Sequence, residues 1–346
     1  MAIPLIATPV NGVYHDLIAQ SKNGSGKTGA FSIGSTLRVD PMIQKPQVLV
    51  VAHVRELSSQ IADVYSRLTK YTNITVSNLT VSGDTTAHII VTTLGKLSNV
   101  LKARGSKGKL DLSELRCFVV DETDVFFGEE KNLTQLKEIH QRSLKGLPNK
   151  LQYIFFSATY TENVKAAIAQ FSPAAQQINL RKEQLQLDHI RQFKFKCQKG
   201  KKPEFIKQIF NTCEMTQTVV FVNTKHFTDR LHNMMIKDNL KSTIIFGDMS
   251  VEERDEMIAK FRAGEVSVII TTNLLARGID VPEIQIVINF DVPTQRTGRG
   301  DERVGDAENY LHRIGRTGRF GTKGIAITIY DREEDETYLD QILDHY

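Results

Sequence analysis

Short apolar runs alternate with longer amphipathic segments along this chain, and the alternation restricts the possible folds more than any other feature of the sequence. The runs of the first half are almost entirely apolar, as strands buried on both faces of a parallel sheet must be. They are PQVLVVA (46–52), HIIVTT (88–93), RCFVVDE (116–122) and QYIFFSAT (152–159). Between them lie segments of helical period, such as RELSSQIADVYSRLTKY (55–71) and NLTQLKEIHQRSL (132–144). This pattern predicts βαβ units around a parallel sheet.

The same alternation occurs again in the second half. Its strands are QTVVFVNT (217–224), STIIFG (242–247), VSVIITT (266–272), IQIVINF (284–290) and GIAITIY (324–330), with helices at 225–239 and 251–264. A length of 346 residues also suggests two domains. We therefore expect an α/β chain with a first domain at 1–180, a linker at 181–187 in polar RKEQLQL, and a second domain at 188–346. A charged, glycine-rich stretch at 294–308 interrupts the second half and reads as a surface insertion.

Composition excludes several classes of protein. The net charge of +4 permits a polyanionic partner without requiring one. The three cysteines form no CxxC pair, which argues against a zinc site or a disulfide framework. No apolar run approaches the roughly 18 residues of a membrane helix, so we expect no membrane insertion. The apolar start MAIPLIATPVNG lacks the basic region of a secretory signal.

The stretch SKNGSGKT (21–28) has the form of a phosphate-binding loop between a strand and a helix. In such loops the backbone N–H groups at a helix N-terminus converge on the anion, the lysine reaches the phosphates and the hydroxyl holds Mg²⁺. The first position is Ser21 where the strict pattern has glycine, and a glycine-rich turn without a ligand is the alternative. The predicted nucleotide-binding residues here are Ser21, Asn23, Gly24, Ser25, Gly26, Lys27 and Thr28, with Thr28 also a metal ligand.

Two acidic residues end the predicted strand in VVDETD (119–124). At the carboxyl edge of a parallel sheet, Asp121 would hold Mg²⁺ and Glu122 would orient the attacking water. An acidic strand end that merely caps a helix is the alternative.

A cluster of cations lies in HRIGRTGR (312–319). Arg316 and Arg319 are three residues apart, so on one helical turn they would share a face and could meet a γ-phosphoryl group as arginine fingers. A basic patch facing RNA, or solvated charge, is the alternative.

Taken in order, GSGKT, RELS, TTLGK, DETD, SAT, FVNT, TTNLLARGID and HRIGRTGRFG resemble the motifs of a DEAD-box ATP-dependent RNA helicase of superfamily 2. The resemblance covers nearly the whole chain. It implies two tandem RecA-like domains, an ATP hydrolase activity, and ATP with Mg²⁺ as cofactors. The long loop before NYLHRIGRTGR, with NGSGKT and STLRVDP, resembles the branch that remodels messenger RNA at the nuclear pore.

The resemblance also implies individual roles. Lys27, Glu122, Arg316 and Arg319 would be catalytic, and Gly278 and Asp280 would approach the nucleotide. Ser157 and Thr159 would couple the nucleotide state to domain closure. The residues expected to contact RNA are Arg55, Thr93, Gly95, Lys96, Thr224, Arg254 and Thr271. Such contacts to the backbone make binding salt-dependent and tolerant of sequence.

The implied mechanism is a clamp in which ATP and RNA favour closure, closure bends the RNA, and hydrolysis reopens the clamp. The implied partners are single-stranded RNA or a short duplex, an mRNA-export activator and a nucleoporin. The chain is expected to be a monomer located in cytoplasm and nucleus, at the nuclear pore. Two rivals stand beside this interpretation: a degenerate clamp that binds RNA or a partner without turnover, and a DNA helicase or translocase.

Several positions differ from the family pattern. His53 and Val54 stand where Pro-Thr is usual, and Thr123 replaces the alanine of the DEAD motif. In the family, an aromatic residue and a glutamine-containing motif upstream of the phosphate loop read adenine, but residues 1–16 contain no glutamine. We therefore expect an N-terminal truncation, an unpartnered helix end at Met1–Ile6, and weak or base-indifferent nucleotide binding.

Overall fold

The computed structural model describes residues 1–21, 25–103, 110–148, 150–179, 189–212, 217–273, 284–297, 302–318 and 322–344. The chain divides into two compact units, Met1–Arg181 and Lys182–Tyr346. The expected linker at 181–187 lies outside the described residues. Among the helices that are described, none is both long enough and apolar enough to cross a bilayer.

The first unit alternates strands and helices as the sequence predicts. Its strands are β1 (Leu17–Gln20), β2 (Val48–Ala52), β3 (Val76–Asn78), β4 (Ile89–Thr93), β5 (Cys117–Asp121), β6 (Gln152–Ser157) and β7 (Gln176–Ile178). Its helices are α1 (Ala2–Ala7), α2 (Lys27–Thr36), α3 (Arg55–Thr69), α4 (Leu94–Lys102), α5 (Thr123–Gly128), α6 (Glu130–Ile139) and α7 (Glu162–Ala169). A π-helical turn, His140–Leu144, follows α6 directly.

The described strands of this unit form one sheet in the order β3-β4-β2-β5-β6-β1-β7, with every pairing parallel. Strand β2 shows how the sheet is covered. Val48 and Val50 belong to the hydrophobic cluster on one face, and Leu49 and Val51 to the cluster on the other. Because successive side chains of a strand point to opposite faces, an all-apolar strand needs cover on both, which the helices provide.

Helix α1 forms as its apolar sequence suggests, but the expectation that Met1–Ile6 lacks a partner is wrong. Ile6 is fully buried in the core. A Cβ atom built on Gly34 of α2 would come within 2.8 Å of the Ile6 Cβ, so the missing side chain of Gly34 lets the two helices touch. The side-chain amide of Gln152 also donates to the carbonyl oxygens of Leu5 and His15 at 3.1 and 2.7 Å.

The second unit repeats the architecture. Its strands are β8 (Ile190–Lys196), β9 (Thr218–Phe221), β10 (Ser242–Ile245), β11 (Val268–Thr271), β12 (Ile286–Asn289), β13 (Thr294–Arg296), β14 (Arg303–Gly305) and β15 (Gly324–Tyr330). Its helices are α8 (Lys202–Thr212), α9 (Lys225–Lys237), α10 (Val251–Arg262), α11 (Ala307–Ile314) and α12 (Glu333–Asp344). Six of these strands form a parallel sheet in the order β10-β11-β9-β12-β15-β8.

Two features of this unit were not predicted. Strand β8 alternates aromatic and basic residues at the sheet edge. Because of its charged side chains, it lacks the apolar pattern by which the other strands were predicted. The stretch expected to be an irregular insertion contains an antiparallel hairpin, in which β13 pairs with β14 and Arg296 lies opposite Arg303.

Candidate functional site

The candidate residues of the first unit follow strands that end at one edge of its sheet. Strands β2, β5, β6 and β1 are neighbours in that order and run parallel. Ligands of open α/β sheets bind outside the carboxyl ends of the strands, near the helix N-termini that follow them. The topology therefore brings together side chains that are separated by more than a hundred positions in the sequence.

The phosphate-loop sequence connects β1 to α2. The backbone N–H of Ser21 donates to the carbonyl oxygen of Ser157 at 2.9 Å, which continues the pairing of β1 with β6. Gly26 precedes the helix with a left-handed backbone (φ +89°), which glycine adopts without strain. Lys27 and Thr28 occupy the first turn, and the Lys27 Nζ donates to the carbonyl oxygen of Ser21 at 3.2 Å.

The hydroxyl groups of Ser21 and Ser25 are hydrogen-bonded to each other across this connection. Asn23 and Gly24 lie outside the described residues. The part of the loop that is described thus has the strand–turn–helix context that the motif requires.

Asp121 ends β5 and is buried, with 3% of its surface exposed. Its burial, reinforced by the neighbouring charge of Glu122 and more weakly by Asp124, raises the pKa of its carboxyl to about 7. Lys27 and the backbone N–H of Glu122, which donates to Asp121 Oδ1 at 3.0 Å, act in the opposite direction. A carboxylate in this position is poised to bind a cation.

Glu122 follows with a left-handed backbone (φ +53°, ψ +51°) and forms the N-cap of α5. This conformation is uncommon outside glycine and must be maintained by the surrounding structure. The Oε2 atom of Glu122 lies 2.8 Å from Nδ1 of His53, the residue that follows β2, and both side chains are largely buried. The sequence assigned Glu122 a role but assigned none to His53.

Thr123 is the first residue of helix α5. It is fully buried, and its hydroxyl donates to the carbonyl oxygens of Val120 at 3.1 Å and Phe156 at 2.9 Å. The substitution that distinguishes DETD from the usual motif therefore adds a polar link between β5 and β6.

Ser157 and Thr159 join the same edge from β6. The backbone N–H of Thr159 donates to the Ser157 hydroxyl oxygen at 3.2 Å, and the Thr159 hydroxyl donates to Asp124 Oδ2 at 2.8 Å. The second of these bonds connects SAT to DETD.

The expected RNA-contacting residues of the first unit cluster at helix starts on this edge. Arg55 begins α3, is exposed, and donates to the carbonyl oxygen of Thr80 at 2.9 Å. Thr93 is the N-cap of α4, and Gly95 and Lys96 are exposed in its first turn. In the second unit, Thr224 is an exposed N-cap of α9, whereas Arg254 and Thr271 are buried.

The comparisons with known proteins agree with this architecture. Residues 1–167 match the family model described as DEAD/DEAH box helicase, and residues 201–321 match the helicase conserved C-terminal domain. The ATP-dependent RNA helicase DBP5 of Mycosarcoma maydis is 35% identical over 333 residues, which are 94% of this chain and 70% of that protein.

The chain belongs to the DEAD-box family of ATP-dependent RNA helicases. It is accordingly an ATP hydrolase with tandem RecA-like domains. Among solved structures, S. cerevisiae Dbp5 bound to RNA and ADP BeF3 matches with a TM-score of 0.88 and 31% identity, covering 99% of this chain and 85% of that one. A Dbp5 variant bound to Nup159, Gle1, IP6 and ADP matches with a TM-score of 0.67 and 30% identity, covering 99% and 86%.

Arg313 of this DEAD-box chain lies near the end of helix α11, and Arg316 lies beyond it. Helix α11 ends at Ile314, and Arg316 lies in the turn beyond it, buried, with its Nε donating to the carbonyl oxygen of His312 at 3.1 Å. Arg319, together with Gly278 and Asp280, lies outside the described residues. Arg316 therefore lies outside the helix, and the face that it was predicted to share with Arg319 stays a prediction.

Arg313 is a residue that sequence reasoning missed. It is fully buried, and burial lowers the pKa of its guanidinium to about 10. The guanidinium donates to Asn273 Oδ1 at 2.9 and 2.6 Å, to Asn223 Oδ1 at 2.9 Å and to the carbonyl oxygen of Asp291 at 2.8 Å. These three acceptors follow β11, β9 and β12, so Arg313 ties together the carboxyl ends of three adjacent strands. Not every cation of the cluster is available to a ligand.

Proposed function

We propose that this chain hydrolyses ATP in an RNA-stimulated cycle and uses it to separate short RNA duplexes or to displace proteins from RNA. The observation that carries the proposal is the placement of Asp121 and Glu122 at the end of β5, on the sheet edge where Lys27 begins α2. The phosphate-binding and acidic groups thus meet at one edge of one sheet, as the chemistry demands.

In this proposal Lys27 and the N-terminus of α2 bind the phosphates, and Thr28 and Asp121 hold Mg²⁺. The site suits a divalent ion, because burial and the charges of Glu122 and Asp124 raise the pKa of Asp121, and an added cation would stabilise the ionised carboxylate. Carboxylate and hydroxyl oxygens are the ligands that Mg²⁺ prefers. When bound, the ion neutralises phosphate charge and orients the leaving group.

Glu122 accepts a hydrogen bond from the attacking water and orients it toward the γ-phosphate, and Arg316 and Arg319 stabilise the charge that develops there. The other residues that we propose to bind the nucleotide are Ser21, Asn23, Gly24, Ser25, Gly26, Gly278 and Asp280. Ser157 and Thr159 make RNA affinity depend on nucleotide state, so that ATP and RNA each raise the affinity for the other.

RNA contacts come from Arg55, Thr93, Gly95 and Lys96 in the first unit and from Thr224, Arg254 and Thr271 in the second. All four residues of the first set lie at helix N-termini, which favour phosphate oxygens. A protein that contacts only the phosphates and sugars of RNA loses affinity for it steeply as the salt concentration rises, and it discriminates little between RNA sequences.

The cellular step that we propose is messenger RNA export at the nuclear pore, in cytoplasm and nucleus. Its support is the similarity to Dbp5, which has been solved with RNA and with Gle1 and Nup159. An export activator and a nucleoporin are the corresponding partners of this chain.

The test is phosphate release from ATP, with and without single-stranded RNA, for the wild type, Glu122→Gln and a Glu162→Gln control. Glu162 is exposed at the start of α7, where it pairs with Lys165 at 2.8 Å, and it has no role in the proposed chemistry. We expect RNA to stimulate ATP hydrolysis by the wild type and by the control. Glu122→Gln should hydrolyse ATP at least about 100-fold more slowly than the wild type. Equal rates in all three would favour the clamp that binds without turnover, and unwinding of long duplexes would favour a translocase.

A further inference from the structure

His53 holds a position that the function described so far does not explain. Strands β2 and β5 are parallel neighbours, with Val51 paired to Val120. Continuing that register by two residues in each strand places His53 level with Glu122 at the carboxyl edge. The register of the sheet therefore places the imidazole of His53 beside Glu122, the carboxylate that is proposed to orient the attacking water.

The contact is short and sheltered. Nδ1 of His53 is 2.8 Å from Oε2 of Glu122, and the two side chains are 12% and 9% exposed. The two atoms are in contact without the alignment of a full hydrogen bond. In such a low-dielectric setting, an interaction between a ring N–H and a carboxylate is much stronger than at an open surface.

Glu122 is thereby constrained at two ends. Its backbone N–H donates to Asp121 Oδ1 at 3.0 Å, in a left-handed conformation that needs support from its surroundings. Its Oε2 atom lies against Nδ1 of His53 at the other end of the side chain. A proline at position 53, as in the usual family pattern, has no N–H group to offer.

We propose that His53 is a positioning residue for Glu122, and that its Nδ1–H fixes the carboxylate in the rotamer that orients the attacking water. Outer-shell partners of catalytic groups commonly contribute about 10- to 100-fold in activity. The inference rests on the proposed role of Glu122 in hydrolysis.

The experiment compares RNA-stimulated ATP hydrolysis by His53→Leu and His53→Asn. The asparagine amide can place a donor near the position of Nδ1, whereas leucine fills the space without a donor. We expect His53→Leu to lose about 10-fold in kcat, with the KM for ATP and the half-saturating RNA concentration unchanged within about 3-fold. His53→Asn should recover most of that loss. His226→Asn, an exposed position on α9, is the control for the assay.

A double-mutant cycle separates positioning from general damage. If His53 acts through Glu122, then adding His53→Leu to Glu122→Gln should leave kcat almost unchanged. A structural role would instead lower both backgrounds by the same factor, and that result overturns the inference, as does an unchanged or higher kcat for His53→Leu. Should His53→Leu unfold, the ratio of His53→Asn to His53→Ala supplies the same comparison. A wild type without RNA-stimulated hydrolysis would defeat the proposed function itself, which is a separate outcome.

Discussion

The hydroxyl of Thr159 donates a hydrogen bond to Oδ2 of Asp124 at 2.8 Å and so joins the segment after β6 to helix α5. Asp124 is buried, with 2% of its surface exposed, so this bond contributes to satisfying a carboxylate that has little access to water. The same link lies between the motif proposed to sense the nucleotide state and the motif proposed to act on the nucleotide.

We expect Thr159→Val to reduce RNA duplex separation more than ATP hydrolysis, because the variant breaks the link and leaves Glu122 and Lys27 in place. Loss of the bond to a buried carboxylate should also lower the free energy of unfolding by about 1–3 kcal/mol. The two activities are measured on the same preparation. Asp124→Asn, which keeps an oxygen that can accept from Thr159, should be milder, and equal losses of both activities in Thr159→Val would contradict the coupling role.

Gly26 provides a second test, because a left-handed backbone strains any residue with a Cβ atom. Gly26→Ala should lower the free energy of unfolding by about 1–2 kcal/mol. Gly29→Ala is the matched control, since Gly29 lies inside α2 with open space around its Cα and without a positive φ. It should be neutral or raise stability by up to about 1 kcal/mol. Urea unfolding of both variants measures the difference, and equal effects would show that the turn does not need glycine.

Asp121 predicts how stability depends on pH in the absence of metal. Its pKa is about 7 in the folded chain and 3.8 in the ordinary reference, so the folded state binds more protons between these values. The free energy of unfolding should therefore fall, through this group, as pH rises from about 4 to about 7.

Asp121→Asn removes this contribution to the pH dependence of stability. In EDTA, the free energy of unfolding of the variant should exceed that of the wild type by about 1–4 kcal/mol at pH 8, and by less at pH 5. Urea unfolding at the two pH values measures it. Asp111→Asn is the control, since its hydrogen bonds with Ser113 and Lys45 lower the pKa of that carboxyl to about 2 and its loss should bring no gain at pH 8. A wild type that gains stability between pH 5 and pH 8 relative to Asp121→Asn would contradict the assignment.

Arg313 predicts a large effect on the stability of the second unit. Arg313→Ala removes a fully buried guanidinium together with its hydrogen bonds to Asn223, Asn273 and the carbonyl oxygen of Asp291, so we expect a loss of about 1.5–3 kcal/mol. Arg313→Lys should recover only part of it, because an ammonium group cannot reproduce the planar fork. Arg191→Ala, on the exposed side of β8, should change stability by less than about 0.5 kcal/mol. A small loss for Arg313→Ala in thermal unfolding would refute the structural role.

The sequence supported the fold well where local signals were strong. Strands such as β2 and β5 are nearly all apolar, and only a parallel sheet with two covered faces accommodates them, so their positions were predicted within two residues. Strand β8 was missed because its side chains are charged or exposed, and a sheet edge imposes no hydrophobic pattern. Helix α1 was predicted, but its contact with Gly34 depends on how two helices cross, which no local pattern encodes.

For the candidate site, the sequence by itself determined the chemical groups: a lysine and a hydroxyl at the start of α2, and two carboxylates at the end of β5. Spacing and residue type suffice for that, because the motif and the helix start that it requires are contiguous in the chain. Only the tertiary structure decided that His53 lies against Glu122 and that Thr123 links β5 to β6. It also decided that Arg313 is buried within its own unit, where it hydrogen-bonds to residues that follow three strands. These relationships depend on the register and order of strands that are distant in sequence, and register is set by the packing of the whole sheet.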